Sequence, residues 1–264
     1  IGLGIPAEPL FRSRDKVNSL RKEFTFKSSL MLLNAMALID SNLKKYADEW
    51  NKDLPTSTDL DHMEAIYTVK DGEILTGICE YGLIIPDGAT ITLESAGTLE
   101  SIICMGDAKI ILSKGSTNII DNSASYGSAI QTMSGKTLTI DGEGALVAFG
   151  GQEGAGIGGN GNIVINNGTI DAYGGQYGAG IGSDMYSPCG DITINGGKIK
   201  AVGGDQAAGI GSGQEGECGK IIIKSTVTEV VAIAGDECQN NIGAGVDGTC
   251  GEVTIEDKTK ISYE

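Results

Sequence analysis

The sequence predicts a mainly β chain: a right-handed parallel β-helix, or solenoid, with an N-terminal α-helical segment. Three observations predict it. A Gly-rich unit recurs down the second half of the chain. Inside each unit, apolar residues alternate with polar ones at period two, as half-buried strands require. Ahead of the repeats, large apolar residues fall at alternating spacings of four and three.

Taken in order, residues 1–10 carry two prolines and read as an extended arm. Residues 28–50 read as a helix. Leu32, Met36, Ile39, Leu43, Tyr46 and Trp50 make an a/d seam of about two and a half heptads. Two readings fit that seam. It joins copies of the chain, most simply as a homotrimer, with residues 1–50 as an anchor to a surface or capsid protein. Alternatively it caps the first coil and hides an edge that would template aggregation. Residues 51–61, with Pro55 and several Ser, Thr and Asp, read as a linker. The expected division is therefore 1–61 and 62–264.

The repeats align on Gly-x-Ile-x-Ile. Residues 150–173, 174–202, 203–233 and 234–264 superpose as units, and residues 125–149 form a weaker copy with Leu138 and Ile140 as its paired apolars. Ile110/Leu112 and Ile91/Leu93 look like degenerate copies earlier still. Each unit holds three short apolar pieces, such as Ile192-Thr193-Ile194, Ile199-Lys200-Ala201 and Gly180-Ile181-Gly182. Asn195-Gly196 marks the turn between the first two. Such a unit cannot bury its apolar side alone, and stacked on its neighbours it can. Stacking also puts Asp191, Lys220 and Glu252 in one outward slot and Asp171 and Lys200 in another, so that charge alternates up the face.

Composition agrees and excludes several functions. There are 41 glycines in 264 residues, against a usual share of about 7%. Aromatic residues make up 5% of the chain, so small and β-branched side chains must build the core. The net charge of −16 belongs to residues 71–264, which carry 9 basic and 25 acidic side chains. That balance repels phosphates and argues against nucleic acid and anionic membrane. No apolar run reaches the ~18 residues of a membrane span.

Six cysteines are spaced for stacking. Cys189, Cys218 and Cys250 each stand three residues before the first inward residue of a coil and form a column. Cys79 and Cys104 are 25 residues apart, close to one coil. Adjacent coils bring Cα atoms to about 4.8 Å, inside the disulfide range. With Cys238 the count is even, which suits an oxidising location; a reduced column of small buried thiols fits the same positions. Zinc is not expected: no Cys-x-x-Cys occurs and the single histidine is His62.

The recurring GGxxGAGIGS…CGxITIxGGxIxAxGG over residues 125–264 resembles the Gly-rich β-helix repeats of bacterial surface proteins in the pectin-lyase-like group. The resemblance implies the fold and, through relatives described as carbohydrate-binding, a glycan ligand; residues 1–70 carry no recognised resemblance. A lyase or hydrolase needs a carboxylate cluster on one face, often with calcium and a base. Here outward charges change sign from coil to coil, no Asp-Asp or Asp-x-Asp occurs in the repeats, and no arginine follows Arg21. Catalysis, metal and cofactor are not expected. Glycan contacts fall on Tyr173, Gln176, Tyr177, Asp184 and Tyr186, where aromatic rings lie beside acceptors. Corner packing is the competing explanation, because Val202 and Ile233 take the Tyr173 slot in later coils. The expectation is a non-catalytic extracellular or cell-surface protein, structural or adhesive. A trimeric virion fibre or decoration protein stands as the alternative, and a polysaccharide-cleaving enzyme as the least favoured one.

Overall fold

The computed structural model describes residues 57–263, all β-strand, turn and short 3-10 helix. The seam residues Leu32 to Trp50 and the arm lie outside the described residues. β-Structure begins within the expected linker. Ser57–Asp59 is a strand paired with Ile74–Cys79, and Leu60–His62 is a 3-10 helix with Leu60 fully buried. The linker reading fails there because Leu60 and the Asp59 cap already belong to the core and its edge.

Every later pairing is parallel and one coil apart, which makes the chain a parallel β-helix; connections between parallel strands are right-handed in about 98% of cases. Three faces emerge. The first stacks strands such as Thr137–Gly142, Asn162–Ile165, Ile192–Ile194 and Ile221–Ile223. The second stacks Ala145–Phe149, Thr169–Tyr173, Lys198–Val202 and Glu229–Ile233. The third is an eight-stranded ladder from Tyr67–Thr68 to Ile242–Gly243. One nine-residue strand, Thr90–Thr98, serves both of the first two faces: its first half pairs with Ala108–Leu112 and its second half with Thr117–Asp121. It bends at Ser95, where φ is 58°.

Inward side chains run up the axis as columns. On the first face Ile91, Ile110, Ile140, Ile165, Ile194, Ile223 and Ile255 lie one above another. On the third, Leu83, Ile102, Ile130, Ile157, Ile181, Ile210 and Ile242 do the same. On the second, Ala148, Ala172, Ala201 and Ala232 keep the interior narrow. Identical branched side chains at strand spacing nest without voids, so most of these residues have no accessible surface. Burying one isoleucine is worth about 1.5–3 kcal/mol.

Coil length is not constant. Ile91 lies 19 residues before Ile110, its neighbour one coil up, while Ile165 to Ile194 and Ile194 to Ile223 are steps of 29. The earlier copies are therefore real but shorter. Ile110 stacks on Ile140 and Ala108 on Leu138, so the degenerate pair is displaced by two residues from the paired apolars of the next coil. Both register expectations for charge hold, with Asp171 beside Lys200 and Asp191 accepting the Lys220 backbone N–H at 2.7 Å. Coil-to-coil ion pairs form in other slots, including Lys198–Glu229 at 2.8 Å and Lys109–Asp141 at 3.0 Å.

The corners explain the glycines. The turn at Asn195-Gly196 passes between the first and second faces, with the positive φ of 88° carried by Gly197. Gly182 and Gly211 sit at φ 143° and 142°, and a Cβ on either would collide with the glycine carbonyl of the next coil.

Candidate functional site

Two columns of turns stand side by side where the second face passes to the third and the third back to the first. One column presents Tyr126, Glu153 and Tyr177 in successive coils: the Glu153 N–H donates to the Tyr126 carbonyl and the Tyr177 N–H to that of Gln152. The other presents Met185-Tyr186, Gln214-Glu215 and Val246-Asp247. The two are joined by backbone hydrogen bonds. Met185 N donates to the Glu153 carbonyl at 2.8 Å, Gln214 N to Tyr177 at 2.9 Å and Val246 N to Gln206 at 2.9 Å. The result is a continuous wall along the axis. Its second column repeats an unusual backbone: Tyr186, Glu215 and Asp247 all have positive φ, of 55°, 50° and 54°. Beneath it, the buried hydroxyls of Ser183 and Ser212 accept the N–H groups of Gly213 and Gly245 at 3.0 and 2.9 Å.

The five glycan candidates separate on this wall. Tyr186 is 63% exposed, Gln176 is exposed and Tyr177 is half-buried. Tyr186 lies close enough to Glu215 for that charge to raise its phenol pKa, with smaller contributions from burial, from Glu153 and from Tyr177. Tyr126, 64% exposed, extends the aromatic character to an earlier coil and was not singled out from the sequence. The signal for it was present, because Tyr126 and Tyr177 occupy the same slot before the Gly that opens the third face.

Tyr173 and Asp184 do other work. The Tyr173 ring stacks on Phe149 with centroids 5.0 Å apart and planes 13° from parallel. Lys200 Nζ lies 5.9 Å from the Tyr173 centroid, and Val202 takes the slot above. Tyr173 is thus a rung of a packed ladder, which favours corner packing over a sugar platform. Asp184 turns inward. It accepts the Ser128 hydroxyl and the Ala155 N–H, the latter at 2.7 Å. Burial pushes its carboxyl pKa up, against these hydrogen bonds, which pull it down. It fastens the wall to the two coils below, to Ala155 in one and Ser128 in the next. In the same seam Gln206 Oε1 and Gln214 Oε1 are buried without a hydrogen-bond partner.

Three of the six cysteines form a column and the other three stand apart. Cys218 pairs in register with Cys250, and the bridge between Pro188 and Glu217 sets Cys189 beside Cys218. All six are free thiols in the structure. Cys79 stacks on Thr98 at the end of one face, whereas Cys104 stacks between Ile85 and Thr132 on the third face. Twenty-five residues do not make a coil here, because coils in this part are 19 residues long. Cys104 is fully buried and its thiol pKa is pushed up to about 12. Cys238 lies in a turn, its thiol 3.6 Å from the carbonyls of Asn240 and Ala244.

Residues 163–184 and 192–214 match the family model of the beta helix repeat. These two stretches carry Tyr173, Gln176, Tyr177 and Asp184 and the strands that position them. The chain carries parallel β-helix repeats. No curated protein and no solved structure matches it. Among the described residues no group of three or more His, Cys, Asp or Glu is placed to hold a metal ion, and no helix is long and apolar enough to cross a membrane.

Proposed function

We propose that the protein is a non-catalytic β-helix with a structural or adhesive role at an extracellular surface, and that the wall of paired turns binds a glycan. The observation that carries this reading is the wall itself. It repeats at strand spacing, is rigidly hydrogen-bonded, and presents Tyr126, Tyr177 and Tyr186 among Glu153, Gln176 and Glu215. Aromatic faces suit the apolar side of a pyranose, and carboxylates and amides suit its hydroxyls. A chain of sugars would lie along the axis. Net charge of −16 favours neutral or amino sugars over uronates. The surface carboxylates Asp87, Asp141, Glu256 and Asp257 are held below the usual carboxylate range by hydrogen bonds within the fold: from the Asp107 backbone N–H, from the Lys109 and Lys224 ammonium groups, and from the Thr259 hydroxyl respectively. None of these shifts needs a reacting substrate to explain it.

The test is a glycan array on the purified protein, followed by Tyr186→Ala and Tyr177→Ala on any hit. Each should weaken binding about fivefold or more, since one aromatic contact is worth about 1 kcal/mol. Tyr173→Ala should instead lower stability with affinity nearly kept. A blank array at high density leaves the structural role alone, and cleavage of any glycan overturns the non-catalytic reading.

A further inference from the structure

The column of Cys189, Cys218 and Cys250 brings three thiols together in successive coils, and its stacking has a chemical consequence. Cys218 stands in register with Cys250 in the coil above, and the bridge between Pro188 and Glu217 sets Cys189 beside it in the coil below. The thiols of Cys189 and Cys250 also lie 3.7 Å from the carbonyls of Gly161 and Gly219. The outer two cysteines are two coils apart, about 9–10 Å at strand spacing, and cannot bond to each other. Any disulfide in the column therefore uses Cys218, and only one can exist at a time. We propose that these cysteines form a three-thiol redox column in which a single disulfide through Cys218 exchanges between Cys189 and Cys250.

The bond is of the labile kind. Side chains in register on parallel neighbours keep their Cβ atoms about 4.8 Å apart, beyond the 3.5–4.5 Å that a relaxed disulfide prefers. Strained bridges are more easily reduced and exchanged. The oxidant is a low-molecular-weight disulfide. Cys250 is the least buried of the three, so its thiolate attacks first, forming a mixed disulfide and releasing one small thiol. Cys218 then attacks the Cys250 sulfur and expels the second small thiol. Two protein thiols are oxidised and one small disulfide becomes two thiols. Afterwards Cys189 can attack Cys218 and expel Cys250 as a thiolate with no net redox change. The neighbouring thiol first, and burial as well, push the pKa of both Cys218 and Cys250 up. The thiolate is therefore scarce at neutral pH, and reaction quickens as pH rises.

The two isomers differ for the fold. The 218–250 bond ties down the last coil, whose Val253 is 39% exposed where Ile221 beneath it is fully buried. The 189–218 bond leaves that coil held by non-covalent contacts alone, its strand pairing and the Lys224–Glu256 ion pair among them.

The experiment incubates the full chain with oxidised glutathione between pH 7 and 9, traps free thiols and maps disulfides by mass spectrometry. Expected are one column disulfide per chain, both isomers present, and a rate that climbs with pH. Cys189→Ala should leave only 218–250, and Cys250→Ala only 189–218. Cys218→Ala should leave no column disulfide, with circular dichroism confirming the fold. The proposal is overturned by a 189–250 bond in any variant, by a stable single isomer in the native chain, or by no column disulfide under oxidant. The two end variants decide it even if Cys218→Ala does not fold.

Discussion

Two buried or half-buried carboxylates show how differently one residue type is used. Glu73 is 2% exposed, yet it accepts from the Thr58 hydroxyl, from the Tyr67 phenol at 2.8 Å and from Lys70 N at 2.8 Å, so its buried oxygens are met by donors at the start of the solenoid. Asp184 is met by fewer donors than its burial demands, and its pKa is raised. A raised carboxyl pKa means that the fold prefers the proton. The stability this group contributes is full below its unfolded pKa of about 3.9 and is lost as pH rises through the folded value. Asp184→Asn keeps the acceptor for Ser128 and Ala155 and removes the charge. Its melting temperature should equal that of the native protein near pH 3 and exceed it at pH 7. A lower value at pH 7 would mean that the carboxylate anchors the wall in its ionised form.

Among the elements, the turns discriminate between sequences more sharply than the strands. A strand position asks for an apolar branched side chain, and Ile, Leu and Val all serve. A corner at φ 143° with a carbonyl of the next coil against it admits only glycine. Gly182→Ala combines backbone strain with that collision, whereas Gly115, at φ 77° with open space around it, meets strain alone. Denaturant titration should show Gly115→Ala costing about 1–2 kcal/mol and Gly182→Ala costing clearly more. In the strands, Ile194→Ala opens a gap in a column of seven isoleucines and should cost about 2–5 kcal/mol. Equal losses for the two glycine variants would show that the coils can separate at that corner.

For the whole solenoid, stability is a sum of coils and of the interfaces between them. Interior coils are covered on both sides. The last described coil has a neighbour on one side, and Val253, Ile255 and Ile242 are open to different degrees beside a groove of about 530 Å³ lined also by Lys258 and Tyr263. In amide exchange of this chain, residues 253–255 should exchange about tenfold faster or more than residues 221–223, the equivalent strand one coil below. Matching protection would show that the end is covered in solution, by self-association or otherwise.

Much of this was legible from residues alone, because a solenoid writes its contacts into its period. Once Ile165, Ile194 and Ile223 recur at one slot, pairing, inward face and neighbour follow, and so does the position of Cys218 between Cys189 and Cys250. The register of outward residues is equally local, which is why Phe149 under Tyr173 was foreseeable. Three matters were decided only by the tertiary structure. Coil length depends on how many residues each corner absorbs, and that separated Cys79 from Cys104. The direction of a corner side chain depends on what the coil below leaves open, and that turned Asp184 inward, away from the outer surface of the wall. The pairing of two turn columns into one wall needs backbone groups distant in sequence to meet across a corner, as Met185 meets Glu153 and Gln214 meets Tyr177. Periodicity encodes what repeats from coil to coil, whereas these three depend on how one coil differs from the next.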